Sequence, residues 1–86
     1  MATYEVTDSQ KYFFLHEGGE LKSLEELYVE LPTMEPRVWE HHVNGERNDF
    51  ANWVRDVIGD RYLAHKISTV TSKDGLQKLL FINFFR

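Results

Sequence analysis

The spacing of hydrophobic residues changes along the chain, from a short run of strand formers near the start to helical repeats after residue 23. Tyr12 to Leu15 are followed by Gly18 and Gly19, a combination that predicts a β-hairpin with a tight glycine turn. From Leu24 onward, apolar residues recur at intervals of three and four, which is typical of amphipathic helices. The pattern predicts a mainly α fold of the α+β class: four to five short helices with an N-terminal β-hairpin in a single small domain.

Polar and conformationally special residues indicate where these helices begin and end. Ser23 and Glu26 form a capping box, so the first helix is expected to begin there and to end at Pro32. Thr33 is expected to cap the second helix, with Pro36 in its first turn, where a missing N–H costs nothing. Further helix stops are predicted at Gly45 and Gly59, and further caps at Asp60 and at Thr71 or Ser72.

The clearest helix is predicted from Asn48 to Gly59, because every apolar position in it matches the helical template. The last segment, residues 73–86, is compatible with a helix or with a strand that pairs with the hairpin. The helix is favoured by its cap and by the spacing of Leu76, Leu79 and Leu80. The apolar positions of the clearest helix are Phe50, Trp53, Val54, Val57 and Ile58.

Length and composition limit the class of protein. A chain of 86 residues has room for one core, so we expect residues 12–86 to form the domain and the polar residues 1–11 to form a loosely ordered arm. The sequence contains no cysteine, which excludes disulfides and thiolate metal sites. It also has no apolar stretch near the roughly 18 residues of a membrane span. We therefore expect a soluble, cytoplasmic protein with no membrane partner.

Net charge makes nucleic acid the less favoured type of partner. Ten basic residues are scattered among fourteen acidic ones, for a formal charge of -4, whereas phosphate binding needs clustered Lys and Arg. Lys66, Lys73 and Lys78 could form a basic strip near the carboxyl terminus. A solvated helix face is the simpler interpretation of the same lysines.

The central part of the chain resembles an uncharacterised family of small prokaryotic domains, found mostly in archaeal genomes. The resemblance spans roughly Tyr12 to Ile67 and is densest in the string HVNGERNDFANWVRDVIGD followed by Leu63-Ala64. It also includes the aromatic strand, the glycine turn and the Ser23 to Leu27 helix start. The resemblance implies an accessory or interaction role for a small stand-alone or appended domain, and implies no particular activity.

A group of polar residues around one predicted helix start is the candidate polar site. A helix amino terminus with free N–H groups can hold an anion, but Asn and Asp are also the preferred helix caps and would satisfy the same N–H groups. Both interpretations stay open, with capping the favoured one. The candidate residues are His42, Asn44, Asn48, Asp49 and Asn52.

The sequence gives weaker grounds for a metal site or an enzyme. His42 and His65 could approach each other, with Asp49 completing a site, but no His pair has the i, i+4 spacing of a helical metal motif. Asp56 and Asp60 could act as acid and base beside Arg55 and Arg61, although surface ion pairs have the same pattern. No nucleophile motif or phosphate loop is present, so no catalytic residue, metal or cofactor is predicted.

The apolar carboxyl-terminal segment is the candidate interface. Its hydrophobic residues exceed one helical stripe, so they either enter the core or form a contact surface. The predicted function is a non-catalytic protein-interaction or regulatory module, with a protein partner or a second copy bound near residues 80–85. The alternatives are a nucleic-acid-associated accessory protein and, less favoured, a small metal-binding protein or enzyme. The candidate interface residues are Leu80, Phe81, Phe84 and Phe85.

Overall fold

A computed structural model describes residues 5–85 of the chain and shows the predicted fold class. The described residues form an antiparallel two-stranded hairpin followed by five α-helices around a single core. The elements are β1 (Phe13–Phe14), β2 (Glu20–Leu21), α1 (Leu24–Glu30), α2 (Pro36–His42), α3 (Asp49–Trp53), α4 (Arg61–Ser68) and α5 (Lys73–Phe84).

The hairpin is shorter than expected and its turn is longer. Phe13 pairs with Leu21 and Phe14 with Glu20, while the turn is closed by a hydrogen bond from the Leu15 N–H to the Gly19 carbonyl at 2.9 Å. Three consecutive residues of the turn have positive φ: Glu17, Gly18 and Gly19. Glycine accommodates this conformation without the steric cost that a Cβ brings.

Most predicted helix starts are confirmed by their caps. The Ser23 hydroxyl accepts the Glu26 N–H at 3.1 Å, and the Glu26 carboxylate accepts the N–H of Lys22, one residue before the cap. Asn48, Asp60 and Ser72 cap α3, α4 and α5 in the same way. The terminal segment is thus a helix beginning at Lys73, as the Ser72 cap predicts.

Three predicted boundaries were wrong in detail. Thr33 does not cap α2; it ends a 3₁₀ turn, and its hydroxyl donates to the Glu30 carbonyl, so Glu35 precedes Pro36 without a side-chain cap. Gly45 does not take the left-handed conformation, because α2 already ends at His42. Pro32 lies within that 3₁₀ turn, which continues directly from α1.

The helix predicted from Asn48 to Gly59 is α-helical only to Trp53. Residues Val54–Ile58 form a π-helical turn, and Gly59, at φ 86°, donates its N–H back to the Val54 carbonyl at 2.8 Å. A π-turn spans one residue more than an α-turn, so the positions after it shift relative to the apolar stripe. Val57 and Ile58 are therefore only partly buried, whereas Val54 is fully buried.

Aromatic rings from the hairpin, α2 and α3 meet at one end of the core. The Phe50 ring is fully buried and stacks on Phe13, with centroids 4.6 Å apart. Trp39 also stacks on Phe50, with centroids 5.8 Å apart, and Trp53 meets Phe13 edge-on. The Trp53 indole N–H donates to the Lys11 carbonyl at 2.9 Å, so its one polar atom is satisfied.

The described part of the expected amino-terminal arm packs on the domain. The first four residues of the predicted arm lie outside the described residues. Val6 is buried and donates its N–H to the Lys22 carbonyl at 2.7 Å, while Glu5 forms an antiparallel bridge with Ser23. A 3₁₀ turn, Ser9–Lys11, then leads into β1.

The helices of residues 5–85 are short, the longest being the 12-residue α5. None of them has both the length and the apolar character needed to cross a lipid bilayer.

Adjacent positions on α5 give a direct test of which side faces the core. Leu80 is fully buried and Phe81 is half exposed. At protein concentrations where the chain is monomeric, Leu80→Ala should lower the free energy of unfolding by about 2–5 kcal/mol, because it leaves a cavity, whereas Phe81→Ala should change it by about 0.5 kcal/mol or less. Urea unfolding of both variants measures the difference, and equal losses would contradict this placement of α5.

Candidate functional site

The residues of the candidate polar site lie on the loop that joins α2 to α3 and on the helices beside it. Val43 and Asn48 form an antiparallel bridge, and the Asn44 N–H donates to the Arg47 carbonyl at 2.9 Å, which closes the loop. The Asn44 side chain donates to the Glu40 carbonyl at 3.0 Å. Its oxygen accepts the Glu46 N–H at 2.9 Å. Asn44 therefore caps the end of α2.

Asn48 uses both ends of its amide to join two helices. Its oxygen accepts the Ala51 N–H at 3.0 Å and so caps α3. Its nitrogen donates to the Ile67 carbonyl near the end of α4, also at 3.0 Å. Asn52, one turn further along α3, is exposed to solvent. The favoured interpretation of Asn44 and Asn48 as structural residues thus accounts for all their side-chain contacts.

His42 is buried and uses both ring nitrogens. Its Nε2 lies 3.0 Å from the His16 N–H, which it must accept, because a backbone N–H can only donate. The proton is therefore on Nδ1, which donates to the Asp49 carboxylate at 2.9 Å. The same carboxylate oxygen lies 3.5 Å from Nε of Arg47. Because no lone pair of the ring is left, His42 has no position for a metal ion.

His65 does not join His42 and Asp49 as the metal interpretation required. It is exposed on α4, and its carbonyl accepts the Ser68 hydroxyl. Among residues 5–85, no three His, Asp or Glu side chains are grouped so that they could hold a metal ion. The structure thus brings together two of the three residues of that hypothesis and separates the third.

His41, next to His42 in sequence, points to a different neighbour. Its ring stacks on that of His16 with centroids 3.8 Å apart and planes inclined by 6°. Desolvation lowers the pKa of His41 below its ordinary value of 6.5; neighbouring His16 and Arg47 add to this effect, and Asp49 opposes it. Both stacked rings lie at the surface.

The residues considered for acid–base chemistry form an ordinary surface contact. Nε and Nη2 of Arg55 donate to the Asp56 carboxylate at 2.9 and 3.1 Å. This hydrogen bond lowers the pKa of Asp56 and raises that of Arg55. Asp60 accepts the Leu63 N–H as the cap of α4. Exposed ion pairs of this kind contribute little to stability.

The three lysines of the expected basic strip have different environments. The Lys73 ammonium donates to the Met34 carbonyl, and the Lys66 ammonium lies 4.5 Å from the centre of the Tyr62 ring. Lys78 borders an apolar groove together with Tyr28. The three lysines therefore contact different neighbours.

Arginines instead gather at a cleft between the α2–α3 loop, α3 and α4. This arginine cleft has a volume of about 510 Å³. Its floor includes Ala51 and Ala64, both buried, whose small side chains leave the space open. The polar side chains that line it are Asn44, Glu46, Arg47, Asn48, Asn52, Arg55, Arg61, His65, Ser68 and Thr71.

The candidate interface divides into buried and exposed residues. Leu80 is fully buried and is not available to a partner, which corrects its inclusion. Phe84 is partly buried and meets Tyr28 edge-on at 5.7 Å. Phe81 and Phe85 are exposed and contact each other with ring centroids 4.8 Å apart. Ile82, beside them, is exposed as well.

Comparison with known proteins finds no matching family model, no matching curated protein and no matching solved structure. The resemblance to small prokaryotic domains therefore stays a prediction.

Two features of these surfaces were missed from the sequence. Arg47 was not connected with Arg55 and Arg61, although all three line one cleft. The available signal was Gly59, because a helix stop between Arg55 and Arg61 turns the chain so that both can face the same space. Tyr28 borders the groove beside Phe81, and this neighbour of the candidate interface was missed as well.

Asp49 should stabilise the fold through His42. Asp49→Ala removes the acceptor of a buried Nδ1–H and should lower the free energy of unfolding by about 1–3 kcal/mol. Asn52→Ala, one turn away and exposed, should change it by about 0.5 kcal/mol or less. Chemical unfolding compares the two variants; equal stability would show that the His42–Asp49 hydrogen bond contributes nothing.

The stacked histidines predict a pH effect of defined sign. A histidine with a lowered pKa in the folded state binds fewer protons than in the unfolded chain, so its contribution to stability is present above the unfolded pKa near 6.5. It is lost as the pH falls through the folded pKa of His41. NMR titration should place that pKa below 6.5, and His16→Ala should raise it by removing a neighbouring charge. An unchanged His41 titration in His16→Ala would contradict the coupling.

Proposed function

We propose that this domain is a non-catalytic protein-interaction module that self-associates through the exposed apolar face of α5. The α5 face is defined by Phe81, Ile82 and Phe85. These side chains are 50%, 61% and 73% exposed. This exposure is the observation that carries the proposal, because large neighbouring hydrophobic side chains in water favour contact with another apolar surface.

The α5 face is continuous with a groove that can receive side chains. The groove has a volume of about 450 Å³ and lies between α5 and Tyr28 of α1. Phe81 and Ile82 form its apolar border, while Asp74, Gln77 and Lys78 form its polar border. An apolar centre with a polar rim is the usual arrangement of a protein interface.

A second copy of the chain is the partner that these residues favour. In a two-fold symmetric contact the same surface lies on both sides, so a net charge on that surface would repel its own copy. The α5 face is uncharged, and the acidic Asp74 and basic Lys78 balance each other at its border. Two copies can therefore approach here without the repulsion that the overall charge of -4 would otherwise bring.

Domain size supports the same choice. An 86-residue chain buries only a modest fraction of its surface, so burial of additional apolar area in a dimer stabilises it appreciably. The core already contains the aromatic rings of Phe13, Trp39, Phe50 and Trp53. Because Leu76 and Leu80 fill the side of α5 that faces this core, Phe81 and Phe85 are directed outward.

The non-catalytic part of the proposal is supported by the polar cluster. The hydrogen bonds of His42, Asp49 and Asn48 join the hairpin, α2, α3 and α4. The polar atoms of these side chains are therefore used to hold the fold together. A catalytic group, by contrast, has to be accessible to a substrate. An accessory or interaction role is also what the resemblance to small prokaryotic domains implies.

Self-association can be tested by replacing exposed side chains on the α5 face. Sedimentation equilibrium should show concentration-dependent dimers of the intact chain. Phe81→Asp with Phe85→Asp should give a monomer, because two carboxylates would have to lose water at the contact. Val29→Asp is the matched control: Val29 is 72% exposed on α1 and borders a different groove, with Glu25 and Glu26.

The outcome depends on folding as well as on mass. Circular dichroism should show all three proteins folded with similar helix content, since none of the changed side chains is buried. A folded double variant that still forms dimers, or an intact chain that stays monomeric over the whole concentration range, would refute self-association through this face. Equal weakening by Val29→Asp would also refute it.

A further inference from the structure

The arginine cleft combines positive charge with an open concave shape. It is lined by Arg47, Arg55 and Arg61, which are three of the five arginines in the chain, while Glu46 is the one acidic residue among the described residues that line it. Three arginines and one glutamate give the lining residues a formal charge of +2, but the Asp49 carboxylate lies 3.5 Å from Nε of Arg47 and Asp56 pairs with Arg55. Within residues 5–85, Arg61 is the lining arginine without an ion pair. A cluster of three arginines in a chain whose net charge is -4 is not a consequence of overall composition.

Each arginine is held in a different way. Nη2 and Nε of Arg47 donate to the His41 carbonyl at 2.6 and 3.2 Å, which anchors one edge of the guanidinium. Arg55 is bound to Asp56 in an exposed pair. Within the described part of the chain, Arg61 makes no ion pair or side-chain hydrogen bond, so all its N–H donors are available to a ligand.

Uncharged donors complete the lining. Asn52 and Thr71 are exposed in the cleft, and their side chains make no hydrogen bond to the rest of the described structure. An amide and a hydroxyl beside arginine forks can bind anionic oxygens. Asn52 was one of the candidate polar residues, and it is the one whose side chain the fold leaves free.

We propose that the arginine cleft binds a small phosphate-bearing anion, with Arg61 as its principal ligand and Arg47 and Arg55 at its sides. A phosphate monoester carries about -1.5 to -2 charges at neutral pH and three acceptor oxygens, so it can accept hydrogen bonds from several lining side chains at once. Arginine forks fit phosphate oxygens in pairs. A volume of about 510 Å³ is within the range of small-molecule sites.

The lining also distinguishes a small anion from a nucleic acid strand. Single-stranded binding surfaces combine positive charge with aromatic side chains on which bases stack. Among residues 5–85, His65 is the one aromatic side chain that lines this cleft. Phosphate groups therefore have donors here, whereas unpaired bases have no stacking platform apart from one imidazole.

Titration calorimetry with inorganic pyrophosphate tests the site at low salt. The intact chain should bind it saturably, and Arg61→Ala should weaken binding about tenfold or more, because it removes charge-assisted hydrogen bonds. Arg37→Ala is the matched control, since it removes the same charge from an arginine outside the cleft that pairs with Glu17 at 2.9 Å. The control should retain nearly full affinity.

A second variant adds charge without removing an arginine. Asn52→Asp keeps the shape of an exposed side chain and places a carboxylate in the cleft, so it should also weaken pyrophosphate binding while the unfolding midpoint stays the same. Arg61→Lys should restore only part of the affinity lost in Arg61→Ala, because lysine lacks the planar fork.

The same titration with a short single-stranded DNA tests the alternative that the cleft binds nucleic acid. Binding of pyrophosphate that depends on Arg61 and Asn52 but not on Arg37 supports the proposal. An absence of binding, or equal loss in Arg61→Ala and Arg37→Ala, overturns it. Binding of the DNA through Arg61 without any binding of pyrophosphate would also overturn it and assign the cleft to a nucleic acid backbone.

Discussion

The His42 imidazole is the contact on which the arrangement of the amino-terminal half depends. It belongs to α2, accepts a hydrogen bond from the hairpin turn at His16 and donates one to Asp49 at the start of α3. Its ring also packs edge-on against Phe13. A buried polar ring is tolerated only when its nitrogens are satisfied. The hydrogen bonds of the two ring nitrogens together fix the relative positions of the hairpin, α2 and α3. They also require the tautomer with the proton on Nδ1.

The hydrogen bonds of His42 help to explain why the polar cluster has few side chains free to bind a ligand. Asn44 and Asn48 are committed to helix ends, and Asp49 is committed to the imidazole. Asn52 extends from the same helix start but remains in solvent, at the edge of the arginine cleft. The polar signature therefore has two parts: a set of side chains that build the domain, and one amide that faces a cleft able to hold an anion.

Two surfaces of different chemistry result from the limited size of the core. Close packing of α3 against α4 places the small side chains of Ala51 and Ala64 beneath a cleft whose walls are charged. On α5, by contrast, Leu76 and Leu80 occupy the core, and the remaining aromatic side chains have no room beside them. One surface suits an anion and the other suits an apolar partner, so the two proposals concern separate residues and fail or succeed separately.

Local chemistry in the sequence was sufficient for the fold class, the hairpin and most helix starts. Ser23, Asn48, Asp60 and Ser72 each cap a helix with their own side chain, and such bonds reach only two or three residues along the chain. The glycines of the hairpin turn act equally locally. For this reason, the α-helical state of residues 73–84 could be favoured over a strand before the structure was considered.

Contacts between distant residues were decided only by tertiary structure. Whether Leu80 or Phe81 faces the core depends on how α5 docks, since both are apolar and adjacent. The hydrogen bond from His16 to His42 spans 26 positions, and the arginine cleft combines a loop with two helices. Sequence spacing specifies which residues share a helix face, but the rotation and distance of one helix relative to another arise from packing of the whole core.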